Sequence, residues 1–220
     1  MEHAQAAPTN PPRSSRRWQF IALVVILAVL VRLWAAWQLP PDADEPVYLK
    51  AGQAYAELIK SGDWQGVIDY EGNREHPALV KLVYAVPYLV YEPAFGSTAE
   101  LTFNRVVSAV FGTLAVLVLA LIDPLAGFFL ALDSMVIKYT SEVYLESIPL
   151  FTSLLAVFAL RRALRCEKKN GWFWLSAVAI GAAGAGKYLY LLTGIALLVL
   201  FFWQRKPRWV DLLIYLGAAG

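Results

Sequence analysis

An Asp-Ala-Asp-Glu-Pro run over residues 42–46 and a Glu-His-Pro run over 75–77 bracket one acidic loop. Carboxylates such as Asp44 and Glu45 are ionised at neutral pH, and an ionised carboxylate beside a membrane can take a proton from a hydroxyl as a general base. Glu75 and His76 close the same loop. With Glu45 they supply oxygen and imidazole donors of the kind that hold a divalent ion such as Mg, Mn or Zn. The same spacing also suits a plain helix start, with Asp44 or Glu45 at the N-terminal end before Pro46 and solvated neighbours. His3 is the only other histidine, so a His-rich zinc site is excluded, and the single cysteine, Cys166, excludes an internal disulfide framework.

A second set of candidates sits in or beside apolar runs, where ionisable groups are costly: Arg32, Arg105, Asp123, Asp133, Lys138, Glu142, Glu146 and Lys187. Arg105, Lys138 and Lys187 have the charge to grip a lipid-linked phosphate, or equally to snorkel to headgroups. Lys187 is the strongest candidate because its Gly-Ala-Gly-Lys-Tyr setting lets helices approach closely. The run GAAGAGK lacks the hydroxyl that ends a nucleotide-binding P-loop. Read differently, Arg32, Glu146 and Lys187 could line a transport pathway.

The elements that must position these groups are set by composition. Of 220 residues, 59% are hydrophobic and 16% charged, which is too apolar for an ordinary soluble domain. A net charge of +2 gives no drive for phosphate neutralisation, so no nucleic-acid partner is expected. Residues 1–17 read as a disordered tail, and 18–220 as a transmembrane domain that includes an external loop at 40–78. The run from Trp18 to Leu39 is a retained first transmembrane helix, and the arginines before it place the N-terminus in the cytoplasm.

Further apolar runs span Phe103–Ile122, Leu125–Ile137, Ser147–Leu160, Trp172–Gly186 and Tyr188–Trp203, with one more starting at Val210. The basic clusters at 161–169 and 205–208 belong on the cytoplasmic side, so Lys187 and Tyr188 mark a turn near the outer face. Leu79–Leu101 stays on that face as an interfacial segment. Helical spacing of Val47, Ala51, Ala54, Tyr55, Leu58 and Ile59 predicts an amphipathic helix over Pro46–Lys60, lying along the membrane surface. The fold class is therefore an all-α integral membrane protein of six to seven transmembrane helices. The final apolar run is still going at Gly220, as in an N-terminal portion of a longer chain.

Five segments in order resemble the polyprenyl-phosphate-sugar glycosyltransferases of the C-type membrane fold, in particular the protein mannosyltransferase and aminoarabinose transferase group of family 39. They are Asp44-Glu45-x-x-Tyr48; Glu75-His76-Pro77-Ala78-Leu79-x-Lys81-Leu82, with Ala78 where the family has a second proline; Asn104-Arg105 through Gly112-Thr113; Tyr139-Thr-Ser141-Glu142; and Gly184-Ala-Gly186-Lys187-Tyr188. The resemblance covers Trp18 to Phe202. It implies inverting transfer of a sugar from a polyprenyl-phosphate donor to an acceptor hydroxyl, on a protein or a glycolipid, at the outer face of a plasma membrane. It also implies roles by position. Asp44 would be the base, with Glu45 beside it, and Glu45, Glu75 and His76 would be metal or orienting partners. Arg105, Lys187 and Tyr188 would meet the donor phosphate. A transporter or flippase, or a non-catalytic membrane subunit, are the alternatives from other classes.

Overall fold

The computed structural model describes residues 13–91, 96–165, 171–204, 213 and 215–217, and among them every regular element is a helix. In chain order these are α1 (Arg13–Gln38), α2 (Glu45–Ser61), α3 (Trp64–Asp69), α4 (Ala78–Val90), α5 (Thr98–Ile122), α6 (Pro124–Leu132), α7 (Ser134–Tyr139), α8 (Ser147–Leu164), α9 (Gly171–Gly186) and α10 (Leu192–Gln204). A 3-10 turn, Tyr188–Leu191, joins the last two. The chain is an all-α membrane protein. Three helices, Ser15–Gln38, Thr98–Ile122 and Ser147–Leu164, are long and apolar enough to cross a membrane, and Ala78–Val90, Gly171–Gly186 and Tyr188–Trp203 are shorter apolar helices. Helix α1 starts at Arg13, so the last residues assigned to the tail are helical, and the rest of the tail lies outside the described residues.

The helices turn their small residues inward. Ala28 of α1, Ala120 of α5 and Ala131 of α6 are fully buried together, while Leu23, Ile26, Leu30 and Trp34 of α1 face outward. That arrangement suits a lipid solvent. Hydrocarbon gives apolar side chains no reason to hide, and small residues let backbones meet closely. At Gly127 the missing side chain admits Ala120, whose Cβ would lie 2.5 Å from an added methyl. Helix α5 is central, packing on α1, α4, α6 and α8, and α8 packs along α9.

The turn from α5 into α6 takes a single residue. Asp123 caps α6, its Oδ1 accepting from the amides of Leu125 at 2.9 Å and Ala126 at 3.0 Å. The apolar run expected to cross as one helix, Leu125–Ile137, is instead broken at Asp133, which caps α7 by accepting from the Val136 amide at 2.8 Å. Arg32 supports the break from α1. It donates to the Leu130 and Ala131 carbonyls at 3.4 and 3.5 Å and to the Thr140 hydroxyl at 3.0 Å. These are the carbonyls a helix end leaves unsatisfied. Arg32 is fully buried in these contacts.

Helix α2 begins one residue before the expected start and ends at Gly62, whose φ of 73° is the left-handed conformation that glycine adopts freely. Its apolar face, Tyr48, Leu49, Tyr55 and Ala56, is covered by Val80, Tyr84, Ala85 and Tyr88 of α4. The amphipathic helix thus rests on protein where the sequence suggested a lipid surface.

Candidate active site

The loop end of the bundle gathers the start of α2, residues 72–77, residues 138–146 and the junction after α9. Glu45 lies at its base with no exposed surface. Arg105 of α5 grips it as a fork, Nε to Oε1 at 2.8 Å and Nη2 to Oε2 at 2.7 Å. The amides of Asp42 and Val143 donate to the same carboxylate at 2.9 and 2.8 Å. The remaining N–H groups of Arg105 go to the Ala36, Leu39 and Pro40 carbonyls at 3.0, 2.7 and 3.0 Å. A guanidinium has five donors, and all five are taken. Glu45 and Arg105 therefore clasp the end of α1, the start of α2, α5 and the 142–145 turn. Neither has a face left for a metal or a phosphate.

Asp44, the next residue back, is the opposite case. It occupies the N-cap of α2, yet its side chain makes no capping bond and is exposed. The backbone does the local work, the Asp44 carbonyl accepting from the Val47 amide at 3.0 Å. A carboxylate that neither caps its helix nor pairs with a charge among the described residues is available for chemistry.

Around it stand tyrosines. The Tyr48 ring centroid is 6.2 Å from His76 and 6.3 Å from Tyr144, and Tyr144 meets Tyr139 edge-on at 5.1 Å. Burial pushes the Tyr48 phenol up to about 12, and the carboxylates of Asp44, Glu146 and Glu75 add to the shift. Tyr48 therefore stays protonated, and it lies within the fields of all three acids. Asp42 is held below the usual carboxylate range by a hydrogen bond with Tyr144 first, then by the Asp44 amide and Lys138. Lys138 is raised by that contact, at 3.3 Å, and by Glu142. Burial raises Glu142, one of whose oxygens has no partner.

Lys187 follows the last residue of α9 and forms an ion pair with Glu146, both side chains roughly a quarter exposed. The other Glu146 oxygen is buried without a hydrogen-bond partner. Gly186 permits this placement, since an added Cβ would meet Pro149 of α8 at 2.6 Å. Tyr188, beside Lys187, is 62% exposed.

Glu75 is exposed and His76 half-buried. Their loop is stapled by buried Lys81 of α4, whose Nζ donates to the Gly72, Asn73 and His76 carbonyls at 3.2, 2.9 and 2.9 Å. Among the described residues, no three His, Cys, Asp or Glu side chains come together as a metal ion requires. With Glu45 saturated, the expected set of Glu45, Glu75 and His76 does not fit a resident metal.

Sequence reasoning singled out Asp44 and Lys187; in the structure Asp44 and Glu146, the partner of Lys187, both act electrostatically on Tyr48. It missed Tyr144, which no spacing signalled, and the stapling role of Lys81, although Lys81 stands in the same motif as His76. Beside Glu45 a groove of about 590 Å³ opens between α1, α2 and α5, lined by Trp37, Pro46, Leu49 and Leu101 among others.

No known family pattern matches the sequence, and no curated protein does. Among solved structures, the chain is similar to a protein of the Saccharomyces cerevisiae protein O-mannosyltransferase Pmt1-Pmt2 complex, whose structure was determined bound to the sugar donor. The TM-score is 0.62 at 14% identity, over 97% of this chain and 32% of that one. The chain thus shares that fold and spans about a third of the solved chain's length.

Proposed function

We propose that the chain is part of a membrane glycosyltransferase that moves a sugar from a polyprenyl-phosphate donor to an acceptor hydroxyl. The observation that carries this reading is the spare Asp44 carboxylate at the loop end, sharing one cluster with the Lys187 ammonium. Asp44 takes the proton from the acceptor hydroxyl as that oxygen attacks the anomeric carbon. The bond from that carbon to the phosphate oxygen breaks from the opposite side, so the configuration inverts. The electron pair leaves on the polyprenyl phosphate, and the Lys187 ammonium neutralises the charge that grows there. Phosphate reaches Lys187 by displacing Glu146, whose second oxygen has no hydrogen-bond partner among the described residues.

Tyr48, protonated throughout, donates a hydrogen bond near the reacting groups and cannot compete as a base. The apolar groove beside Pro46 gives the isoprenoid tail a place next to the chemistry. The arginine-rich end of the bundle is assigned to the cytoplasm and the loop end to the outer face of a plasma membrane. The fold shared with a mannosyltransferase complex supports this reading.

The test is the Asp44→Asn variant, assayed with radiolabelled polyprenyl-phosphate sugar in membranes containing the full-length protein. Transfer is expected to fall by about 10²-fold or more, the scale of a lost general base, with insertion unchanged. Normal transfer removes Asp44 from the mechanism.

A further inference from the structure

The candidate base has no side-chain contact of its own to aim it. Asp44 leaves its helix uncapped, so its carboxylate points where its backbone directs it. On the helix side that backbone is fixed by the Asp44 carbonyl, which accepts from the Val47 and Tyr48 amides at 3.0 and 3.4 Å. On the other side the Asp44 amide donates to Oδ1 of Asp42 at 3.2 Å. An aspartate that accepts from the amide two residues on closes a local turn, and that turn sets the direction from which the chain enters the helix.

Asp42 is anchored in turn by elements far along the chain. Its amide donates to Glu45 Oε2 at 2.9 Å, which joins it to the buried clasp with Arg105. Its Oδ2 takes the Lys138 ammonium of α7 at 3.3 Å. The Tyr144 hydroxyl donates to the same carboxylate and is the first cause of its low pKa, so Asp42 is an anion at neutral pH. Lys138 and Tyr144 are themselves placed by packing. Asp133 caps α7, Arg32 holds the Thr140 hydroxyl, and the Tyr144 carbonyl accepts from the Tyr84 hydroxyl at 2.6 Å.

These contacts suit Asp42 to holding and not to proton transfer. A carboxylate whose pKa is depressed is a weak base, and this one already accepts from an amide, an ammonium and a phenol. A general base works only within hydrogen-bond reach of the proton it takes, and a displacement of about 1 Å can cost about 10²-fold in rate. Asp44 supplies the free carboxylate, and Asp42 supplies the hold.

We propose that Asp42 is a positioning residue for Asp44: tethered by Lys138 and Tyr144, it fixes the Asp44 amide and thereby the line along which the Asp44 carboxylate faces the acceptor hydroxyl. The inference rests on the sugar-transfer reading of Asp44. It also gives Lys138, whose charge suits a phosphate equally well, a task on the acceptor side.

The test is steady-state transfer by the full-length protein in membranes, with polyprenyl-phosphate sugar as the donor, read together with hydrogen exchange at the Asp44 amide. Asp42→Ala is expected to lower kcat about tenfold or more while the donor KM changes by less than about twofold, the split that a misaimed base produces. Asp42→Asn keeps an oxygen for the Asp44 amide and should recover most of that loss. Both variants lose the ion pair with Lys138, so recovery in the asparagine variant follows the Asp44 contact. Exchange at the Asp44 amide should rise about tenfold in Asp42→Ala and stay near the parent in Asp42→Asn. Lys138→Met, which leaves Asp42 tied by Tyr144, should lower kcat by less than Asp42→Ala and leave the donor KM unchanged. Parental kcat in Asp42→Ala, equal loss in the alanine and asparagine variants, or unchanged exchange at Asp44 overturns the proposal. A rise in donor KM of about tenfold in Lys138→Met would put Lys138 on the phosphate and overturn its part in the tether. Asp44→Asn is assayed alongside. If it abolishes transfer while Asp42→Ala does not, the positioning role alone fails; if it transfers normally, the base is lost and the positioning role with it.

Discussion

Asp44 and Glu45 show how much two adjacent carboxylates can differ. Asp44 could be read from the sequence as a candidate base because it follows an apolar run and precedes a helix-starting proline. Nothing local separates Glu45 from it. The difference lies in Arg105, sixty residues further on, whose fork consumes both Glu45 oxygens. Lys187 was readable as a lone cation in a glycine-rich helix end, but its partner Glu146 was not, because only the packing of α8 on α9 brings them together. The pairing gives opposite expectations for two substitutions. Lys187→Met should lower transfer about 10²-fold by removing the charge that meets the leaving phosphate. Glu146→Gln should instead lower the KM for the donor, because the ammonium no longer has to be prised from a carboxylate. Steady-state kinetics over donor concentration separates the two. A pH effect belongs at this scale as well. Asp42 is held below its ordinary 3.8, so its contribution to stability is complete above that value and is lost as the pH falls through its folded value. Thermal unfolding at about pH 5 and about pH 3 should show a smaller acid loss in Asp42→Asn than in the parent.

Helix boundaries were readable where local chemistry sets them. Pro46 and Gly62 fix α2 to within a residue at each end, and Asp123-Pro124 turns the chain sharply into α6. The break at Asp133 was not readable, because hydropathy runs on through it. It is made by Asp133 capping the α7 amides while Arg32, a hundred residues earlier, satisfies the α6 carbonyls. Likewise the spacing of α2 shows that it has an apolar face, but not that α4 covers it. The Glu45–Arg105 clasp is the contact that joins most elements, touching α1, α2, α5 and the 142–145 turn. Removing one partner leaves a buried charge alone, so Glu45→Ala should cost about 3–5 kcal/mol. Replacing both partners by apolar residues of similar volume, Glu45→Leu with Arg105→Met, should cost less than the two single changes added together. Thermal unfolding of the four proteins in one detergent measures the coupling, and strict additivity would show that the clasp does not act as a unit.

At the scale of the whole molecule, the proposed orientation rests on the distribution of arginines, and the span of α1 on its aromatic ends. Arg13, Arg16, Arg17, Arg161, Arg162 and Arg165 all lie at one end of the bundle, the bias that marks a cytoplasmic face. Trp18 and Trp37, both exposed, stand at opposite ends of α1. A helix separates them by about 28 Å, the thickness of a bilayer's hydrocarbon, as expected of interfacial aromatic anchors. The proposed threading rests on composition and charge, which are sums over many residues rather than single contacts. The number of complete crossings was harder to read, because α9 and α10 are short and α6–α7 is broken. Under the proposed function the threading has a consequence for the chemistry: Asp44 and Lys187 would both meet their substrates on the face opposite the arginines. Single cysteines in a Cys166→Ser background test it. Ser61→Cys, exposed at the end of α2, should react with a membrane-impermeant maleimide in intact cells, whereas Arg165→Cys should react only after permeabilisation. The reverse pattern would put the carboxylate cluster in the cytoplasm, where a donor and acceptor on the outer face could not reach it.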